Sequence, residues 1–442
     1  MVENSPIDRS IWQDRSFWVL VALGVSIRLV YAFSARVEPW SDFEAYDRMA
    51  ENIIDGLGWH SRGLSAISPG YPAFLAGLYI IHRSIESAWI ANALLGGLSV
   101  LLATLLCGHY WNDKRLQLGT ALLVALYPDL VVYGGILASE NLATPLLLLT
   151  MILLAEGQRK RGFVWWLAGG AALGALSLVR GMMLGLLPMF IFWIWRYVYQ
   201  GSFREASKPI LAFLAAALLL ISPWTIRNYV VHQAFVPITT ELGLGLWGGN
   251  NPEANGEWMQ DFLNRQVMPS GLSEVQVSRY QTGQALSFVM NNPVDALVLA
   301  GKKFCLFWGI KMDGVYQHQA VIPPWLALLI STLGQSGMVS FFLIGCYLTW
   351  RWSPSFGLAL LVSLYLLLLT VVFYYLTRYR LMLYPVWVSA VVYAVSHLPE
   401  FLRGKKGRNI AAKAGVCLFT FLILNWSWII WRNLDKVLGF LD

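Results

Sequence analysis

The sequence predicts an all-α integral membrane protein, a polytopic helical bundle of about eleven transmembrane helices with two extracytoplasmic loop inserts. Three observations predict it. Of 442 residues, 57% are hydrophobic and 13% charged, whereas soluble domains carry about a quarter charged residues. Apolar runs near the ~20 residues that cross a bilayer recur along the whole chain. Lipid-exposed backbone must bond to itself, so such runs are expected to be helices.

In chain order the runs lie near 17–35, 86–109, 117–135, 139–156, 163–180, 182–198, 208–226, 323–349, 356–376, 381–398 and 410–431. Only Arg180 and Gly181 separate the fifth from the sixth, which leaves the helix count of 163–198 open. Lys and Arg are retained on the cytoplasmic side. With the N-terminus inside, the short basic loops Lys114-Arg115, Arg159-Lys160-Arg161, Arg196 to Lys208 and Arg403 to Arg408 are cytoplasmic, and the long loops 36–85 and 227–322 lie outside. The chain then divides into an N-terminal membrane core (1–226, with the first loop at 36–85), a second loop insert (227–322) and C-terminal membrane helices (323–442). This topology suits a multi-pass protein of the plasma membrane, the inner membrane of a bacterium. The net charge of +7 follows from it and from anionic lipid, with no call for nucleic acid. Glu3, Asp8 and Asp14 fit poorly with a secretory signal, so the first span is expected to stay as an anchor.

Cys107, Cys305, Cys346 and Cys417 lie in apolar stretches without paired spacing, and read as buried small hydrophobes rather than disulfides or zinc ligands. His60, His82, His232 and His318 are scattered, with no zinc-like spacing.

In the first insert Phe43, Tyr46, Met49, Ala50, Ile53 and Ile54 recur at helical spacing, while Glu44, Asp47, Arg48 and Glu51 take other faces. The pattern predicts an amphipathic surface helix closed by Gly56. Ser41 with Glu44 reads as a capping box, and residues 70–82 as a second interfacial helix opened by Pro69-Gly70. The second insert follows Pro223-Trp224 to Asn228 and runs through the Gly-rich stretch Gly243 to Pro252. Helical patterns follow near 273–291 and 294–308. Trp247, Trp258, Asn250 and Asn251 suit either a saccharide-binding lid or a compact loop domain held by its own aromatics.

These residues together resemble the GT-C superfamily of membrane glycosyltransferases, in particular the protein O-mannosyltransferases and lipid A aminoarabinose transferases of the glycosyltransferase family 39 type. The resemblance rests on Ser41-Asp42 with Tyr46 and Ala50 ahead of Gly56, on Ser68-Pro69-Gly70-Tyr71-Pro72, and on Ser139-Glu140. It rests also on Leu178-Val179-Arg180, Pro223-Trp224 to Asn228, Gly248 to Pro252, and Arg378-Tyr379-Arg380 before Pro385. It implies inverting transfer of a monosaccharide from a polyprenyl-phosphate carrier to a lipid, glycan or protein acceptor on the extracytoplasmic face. Asp42 matches the catalytic aspartate of the first loop, which would accept the acceptor's proton. Glu140 matches a second acidic position that orients an acceptor or a cation. Arg180, Arg378 and Arg380 match phosphate contacts, guanidinium being suited to phosphate through paired hydrogen bonds, and Tyr71 falls near the donor. The resemblance admits a divalent cation, and no spacing in the chain calls for one.

Each residue also has a structural reading. Asp42 sits where a charge favours a helix N-terminus, Glu140 and Arg180 where interfacial anchors sit, and Arg378 and Arg380 where they could cap spans. Arg28 is expected to snorkel out of the first span, and Arg227 to tie the second insert to its supporting helix. Where the aminoarabinose transferases carry a lysine before the paired prolines, this chain has Ser68-Pro69-Gly70; Arg62 either compensates or is a solvated loop charge. A transporter or flippase of lipid-linked sugars would share the spans and the arginines, but would place ionisable residues at mid-membrane depth. A polysaccharide polymerase or ligase would also work outside on polyprenyl carriers, without need of Asp42.

Overall fold

The computed structural model describes residues 10–310, 316, 318, 319, 321–349, 353–403, 420, 423–429 and 431. Most of the expected span at 410–431, the basic run 404–408, Cys417, Glu3 and Asp8 lie outside the described residues.

Long apolar runs free of turn residues fold as helices, and the polar or proline-bearing breaks between them set the ends. α1 (Ser10–Gln13) leads to α2 (Arg15–Ala35), where Asp14 accepts the Ser16 N–H at 2.7 Å. The first insert carries α3 (Ser41–Ile54) and α4 (Gly70–Ile81). α5 (Ile85–Tyr110) follows, then a turn capped by Asp113, then α6 (Lys114–Leu126) and α7 (Pro128–Gly134), which meet at 52°. α8 (Glu140–Lys160) and α9 (Phe163–Val179) form a hairpin turned by Arg161 in the left-handed region. The chain reverses at Arg180 and continues as a 3₁₀ turn (Gly181–Gly185), α10 (Leu186–Trp193) and a π turn (Ile194–Val198). The region 163–198 is therefore two elements joined at Arg180.

α11 (Phe203–His232) supports the second insert, which holds α12 (Leu242–Gly249), α13 (Gln260–Arg265), α14 (Glu274–Asn291) and α15 (Pro293–Trp308). α16 (Pro324–Leu348), α17 (Pro354–Val372), the short α18 (Arg378–Leu381) and α19 (Tyr384–Arg403) complete the described fold. Among the described residues, seven helical segments are long and apolar enough to cross a membrane, or eight with α6 and α7 taken as one bent span. The runs expected at 163–180 and 381–398 form α9 and α19.

Close packing comes from small residues. A Cβ at Gly170 would fall on the Phe213 carbonyl, and one at Gly174 would lie 2.9 Å from the Ala217 oxygen, so the two glycines let the α9 and α11 backbones touch. Arg28 corrects an expectation. It does not snorkel but turns inward, 2% exposed, and donates to the carbonyls of Gly24 at 2.7 Å and of Val124 and Ala125 at 3.1 Å. Pro128 explains the change. It lacks the N–H that would have bonded the Val124 carbonyl, and Arg28 supplies the missing donor at the α6–α7 break.

Chain direction then places the site. The C-terminal ends of α2, α9, α11 and α17 and the N-terminal ends of α5 and α8 share one face of the bundle with both inserts. Lys114, Arg159, Lys160, Arg161 and Arg204 lie at the opposite helix ends.

Candidate active site

The first insert sets Asp42 in the opening turn of α3. The helix is capped by the Trp40 backbone, with Phe43 and Glu44 N–H groups directed at its carbonyl, and not by a capping box; Glu44 pairs instead with Arg48 one turn on. Glu140 opens α8, and Arg180 ends α9. The Ser68-Pro69-Gly70 turn fixes that end: the Ser68 hydroxyl accepts the Gly181 N–H at 3.0 Å, and the Gly70 Cα lies so close to Leu178 and Val179 that a Cβ would come within 2.8 Å of their backbone. Arg378 begins α18 in the turn between α17 and α19.

These four side chains meet. Arg62 donates to Asp42 Oδ1 at 2.7 Å and Arg378 to Oδ2 at 2.6 Å. Arg180 donates to Glu140 Oε1 at 2.5 Å and to the Ser139 hydroxyl at 3.1 Å, and Arg378 Nε reaches to 3.7 Å from the same Glu140 oxygen. Tyr46 lies 3.4 Å from Ser139 Oγ, its ring edge-on to Tyr71. Tyr379 lies with its ring 6.0 Å from the Arg180 guanidinium and beside Tyr374, which packs in turn on Trp258. Exposure falls from Asp42 (31%) through Arg378 (19%) to Glu140 (0%), so the network opens to solvent at its Asp42 end.

Burial acts to raise the Asp42 carboxyl, but the Arg378 guanidinium and then Arg62 outweigh it and hold the group below the ordinary carboxylate value. Glu241, at the head of α12, was not marked by sequence reasoning. The residue is exposed to solvent, and the negative charge of Asp42 acts to raise its carboxyl while Arg62, Arg378 and Arg180 act to lower it.

Over most of its length the chain superposes on the Archaeoglobus fulgidus oligosaccharyltransferase in the apo form, with a TM-score of 0.54 and 14% identity, covering 92% of this chain and 52% of that one. The chain therefore shares the membrane-helical fold of that oligosaccharyltransferase. Residues 68–226 match the family described as dolichyl-phosphate-mannose-protein mannosyltransferase. That stretch holds Ser68, Tyr71, Glu140 and Arg180, and leaves Asp42, Arg62, Glu241 and Arg378 outside it. The undecaprenyl phosphate-alpha-4-amino-4-deoxy-L-arabinose arabinosyl transferase of Pseudomonas aeruginosa strain UCBPP-PA14 is 25% identical over 225 residues, covering 48% of this chain and 40% of that protein. A second such transferase, from Pseudomonas fluorescens strain ATCC BAA-477, is 28% identical over 233 residues, 49% of this chain and 39% of its own length. The matched part thus spans about two fifths of these relatives.

Two expected site residues stand apart in this scaffold. Arg380 is fully buried and donates to the Phe307 and Gly309 carbonyls at 3.0 and 2.7 Å, to Gln335 at 3.0 Å and to the Tyr375 hydroxyl at 2.7 Å. Residues two apart on a helix are rotated by about 200°, so Arg380 points away from Arg378 and anchors the end of α15 to the turn. Tyr71 is also fully buried, donating to Asn92 Oδ1 at 3.2 Å, and supports Tyr46 from beneath. The Gly-rich stretch is packing. A Cβ at Gly249 would fall on the Phe373 carbonyl, Asn250 Nδ2 donates to Leu246 and Val372 carbonyls, Asn251 Nδ2 donates to the Trp247 carbonyl, and Trp247 is buried against Phe262. Of the lid residues, only Trp258 adjoins the site, through Tyr374. Arg227 ties α11 to the first insert rather than the second, donating to the Leu64 carbonyl and Ser65 hydroxyl at 2.7 Å, while Asn228 holds the second through the Val236 and Ile238 carbonyls. Among the described residues no group of three His, Cys, Asp or Glu is placed to hold a metal ion.

Proposed function

We propose that this protein is a membrane glycosyltransferase that moves a monosaccharide from a polyprenyl-phosphate carrier to an acceptor hydroxyl at the extracytoplasmic surface, with inversion at the anomeric carbon. The observation that carries the reading is the clasp of Arg62 and Arg378 on Asp42, beside the Glu140–Arg180 pair, at one end of a lipid-embedded bundle. The fold and the partial matches to polyprenyl-phosphate-sugar transferases support it.

In the donor-free state each Asp42 oxygen carries a guanidinium. A donor phosphate competes for those guanidiniums, which bind its oxygens as paired donors. As they move to phosphate, Asp42 loses the charges that depress it and becomes a stronger base, so donor binding precedes base activation. The acceptor O–H proton then passes to Asp42 while its oxygen bonds to the anomeric carbon. The bond from that carbon to the phosphate oxygen breaks, and its electron pair leaves on polyprenyl phosphate, stabilised by the arginines. Glu140 holds Arg180 and Arg378 in register.

The transporter reading has less support, because Arg28, the ionisable residue set deep in the first span, is bound to the helix break. The test is transfer by purified protein from a panel of synthetic polyprenyl-phosphate sugars to lipid, glycan and peptide acceptors. Asp42→Asn is expected to lose at least ~100-fold in turnover, the lower end for general base catalysis, while donor binding persists. Unchanged turnover would remove Asp42 as base, and flipping of a labelled carrier in proteoliposomes with no glycosylated product would favour the transporter.

A further inference from the structure

Three aromatic rings lead outward from the candidate site. The Tyr379 ring lies 6.0 Å from the Arg180 guanidinium, Tyr374 is centred 6.0 Å from Tyr379, and Trp258 is centred 4.8 Å from Tyr374. Exposure opens along the row: Tyr379 is 2% exposed, whereas Tyr374 and Trp258 are half-buried. Tyr374 and Tyr379 flank Arg378 in sequence, and Trp258 belongs to the second insert. The transfer chemistry proposed above uses none of the three.

Backbone contacts set Trp258 in place. The segment 256–258 runs parallel to the turn before Arg378 through a bridge between Glu257 and Tyr375, and the Tyr375 N–H bonds the Gly256 carbonyl at 2.8 Å. Gly256 has a φ of +100°, and a Cβ there would come 2.9 Å from Leu306 Cδ1, so the bend needs glycine. Gly248 of α12 makes room for the indole, because a Cβ would stand 2.8 Å from Trp258 Cζ3. Arg380 fixes the other strand of the bridge by donating to the Tyr375 hydroxyl at 2.7 Å. An aromatic ring held in this way loses little freedom when it takes up a ligand.

The polar groups beside the ring select the ligand. Trp258 Nε1 donates to Gln260 Oε1 at 3.0 Å and Gln260 Nε2 to Asn264 Oδ1 at 2.8 Å, and both amides are exposed on α13. A planar amide offers donors and acceptors together, which suits neighbouring hydroxyls, and an indole offers a flat apolar face, which suits the C–H face of a sugar ring. A lipid chain gains nothing from the amides. A peptide adding as a strand needs an open backbone edge, and the edge of 256–258 toward the site is already paired with Tyr375. A donor phosphate is drawn to Arg180 and Arg378, which places the transferred sugar beside them, whereas Trp258 stands two rings away from Arg180. We infer that Trp258, with Gln260 and Asn264, forms an acceptor subsite for a saccharide ring one or more residues removed from the attacking hydroxyl, so that the acceptor is a glycan. The inference rests on the polyprenyl-phosphate-sugar reading above.

A subsite remote from the reacting atoms holds ground state and transition state alike, so its loss weakens acceptor binding and leaves the chemical step alone. It adds affinity only to acceptors long enough to reach it. Dependence on acceptor length is therefore its signature, which a tryptophan serving only as packing lacks. Loss of mere packing against Tyr374 would instead disturb the turn that carries Arg378 and weaken donor binding whatever the acceptor.

The experiment screens the full chain in nanodiscs against an array of mono- to tetrasaccharides, with serine peptides and a polyprenol as the other acceptor classes. The affinity of the best saccharide is then measured at each length, and that of a short-chain polyprenyl phosphomannose in the same discs. Wild type is expected to bind the tri- or tetrasaccharide at least about tenfold more tightly than its terminal monosaccharide, the order expected of an aromatic hot spot. Trp258→Ala is expected to remove that difference while donor affinity stays within about threefold of wild type, and Trp258→Phe, which keeps a ring, to retain most of it. Preference for peptide or polyprenol over every saccharide, affinity that does not depend on saccharide length, or a length dependence that survives in Trp258→Ala overturns the inference. Loss of donor affinity in both variants also overturns it, since the ring would then serve only the turn of Arg378. Donor binding by wild type tells the two failures apart: where it persists without a glycan preference the inference alone fails, and where it is absent the donor reading fails and the inference falls with it.

Discussion

Glu140 has no solvent contact, and Arg180 at 2.5 Å with Arg378 at 3.7 Å pairs with it there. Breaking a buried pair by removing one partner costs about 3–5 kcal/mol, because the remaining charge is left uncompensated. Arg180→Met should therefore lower the thermal unfolding temperature in detergent sharply, and adding Glu140→Gln should restore most of it. A double variant no better than the single would show that the pair adds nothing beyond local packing. The sequence made Asp42, Glu140, Arg180 and Arg378 legible because each stands at the end of an apolar run, where a charge needs a reason. Arg62 was readable only as either a compensating cation or a solvated loop charge, and Glu241 was not singled out, since each lies in a loop whose path is fixed by contacts distant in sequence. Arg62 reaches Asp42 across twenty residues, and the backbone on either side of Glu241 is held by bonds from Thr240 to Ser65 and from Gly243 to Ser278.

α12 depends on glycine more than any other element near the site. Gly243 presses on Ser278 of α14, and Gly249 on the Phe373 carbonyl of the turn that leads to Arg378. Asn250 extends the dock: its amide donates to the Val372 carbonyl at 2.8 Å, and its oxygen accepts from buried Lys303 at 2.8 Å. An added methyl at Gly249 cannot be absorbed by a rotamer change, because the obstacle is backbone. Gly249→Ala should cost about 1–3 kcal/mol, the usual range for overpacking, and should shift the turn that carries Arg378. The expected outcome is faster protease cleavage in the second insert with loss of donor affinity, while membrane insertion is retained. Wild-type cleavage and affinity in that variant would mean that α12 does not position the arginine. The glycines were readable as sites of close approach, but their partner was not. A turn more than a hundred residues downstream leaves no mark on the local pattern, so the same residues also suited a sugar-binding lid.

Across the whole molecule the inserts and the site share one face, and the short basic connections share the other. The helix order carried by the apolar runs was sufficient to predict this, and alternate ends of successive spans must then fall on opposite faces. The broken span at Pro128 and the reversal at Arg180 were harder to foresee, because both are settled by neighbours, Arg28 in one case and the Ser68 turn in the other. Retention of Lys and Arg in the cytoplasm assigns Arg159, Lys160, Arg161 and Arg204 to the inside and the site to the outside. Side-specific labelling in a cysteine-free background tests the assignment, using two solvent-exposed positions on opposite faces. Glu253→Cys, in the second insert, should react with a membrane-impermeant maleimide on intact cells, and Arg204→Cys, at the start of α11, only after permeabilisation. The reverse pattern would put Asp42 and its arginines in the cytoplasm. Transfer would then have to draw on carriers displayed on that side, and the proposed extracytoplasmic reaction would fall, although the geometry of the charge network would stand.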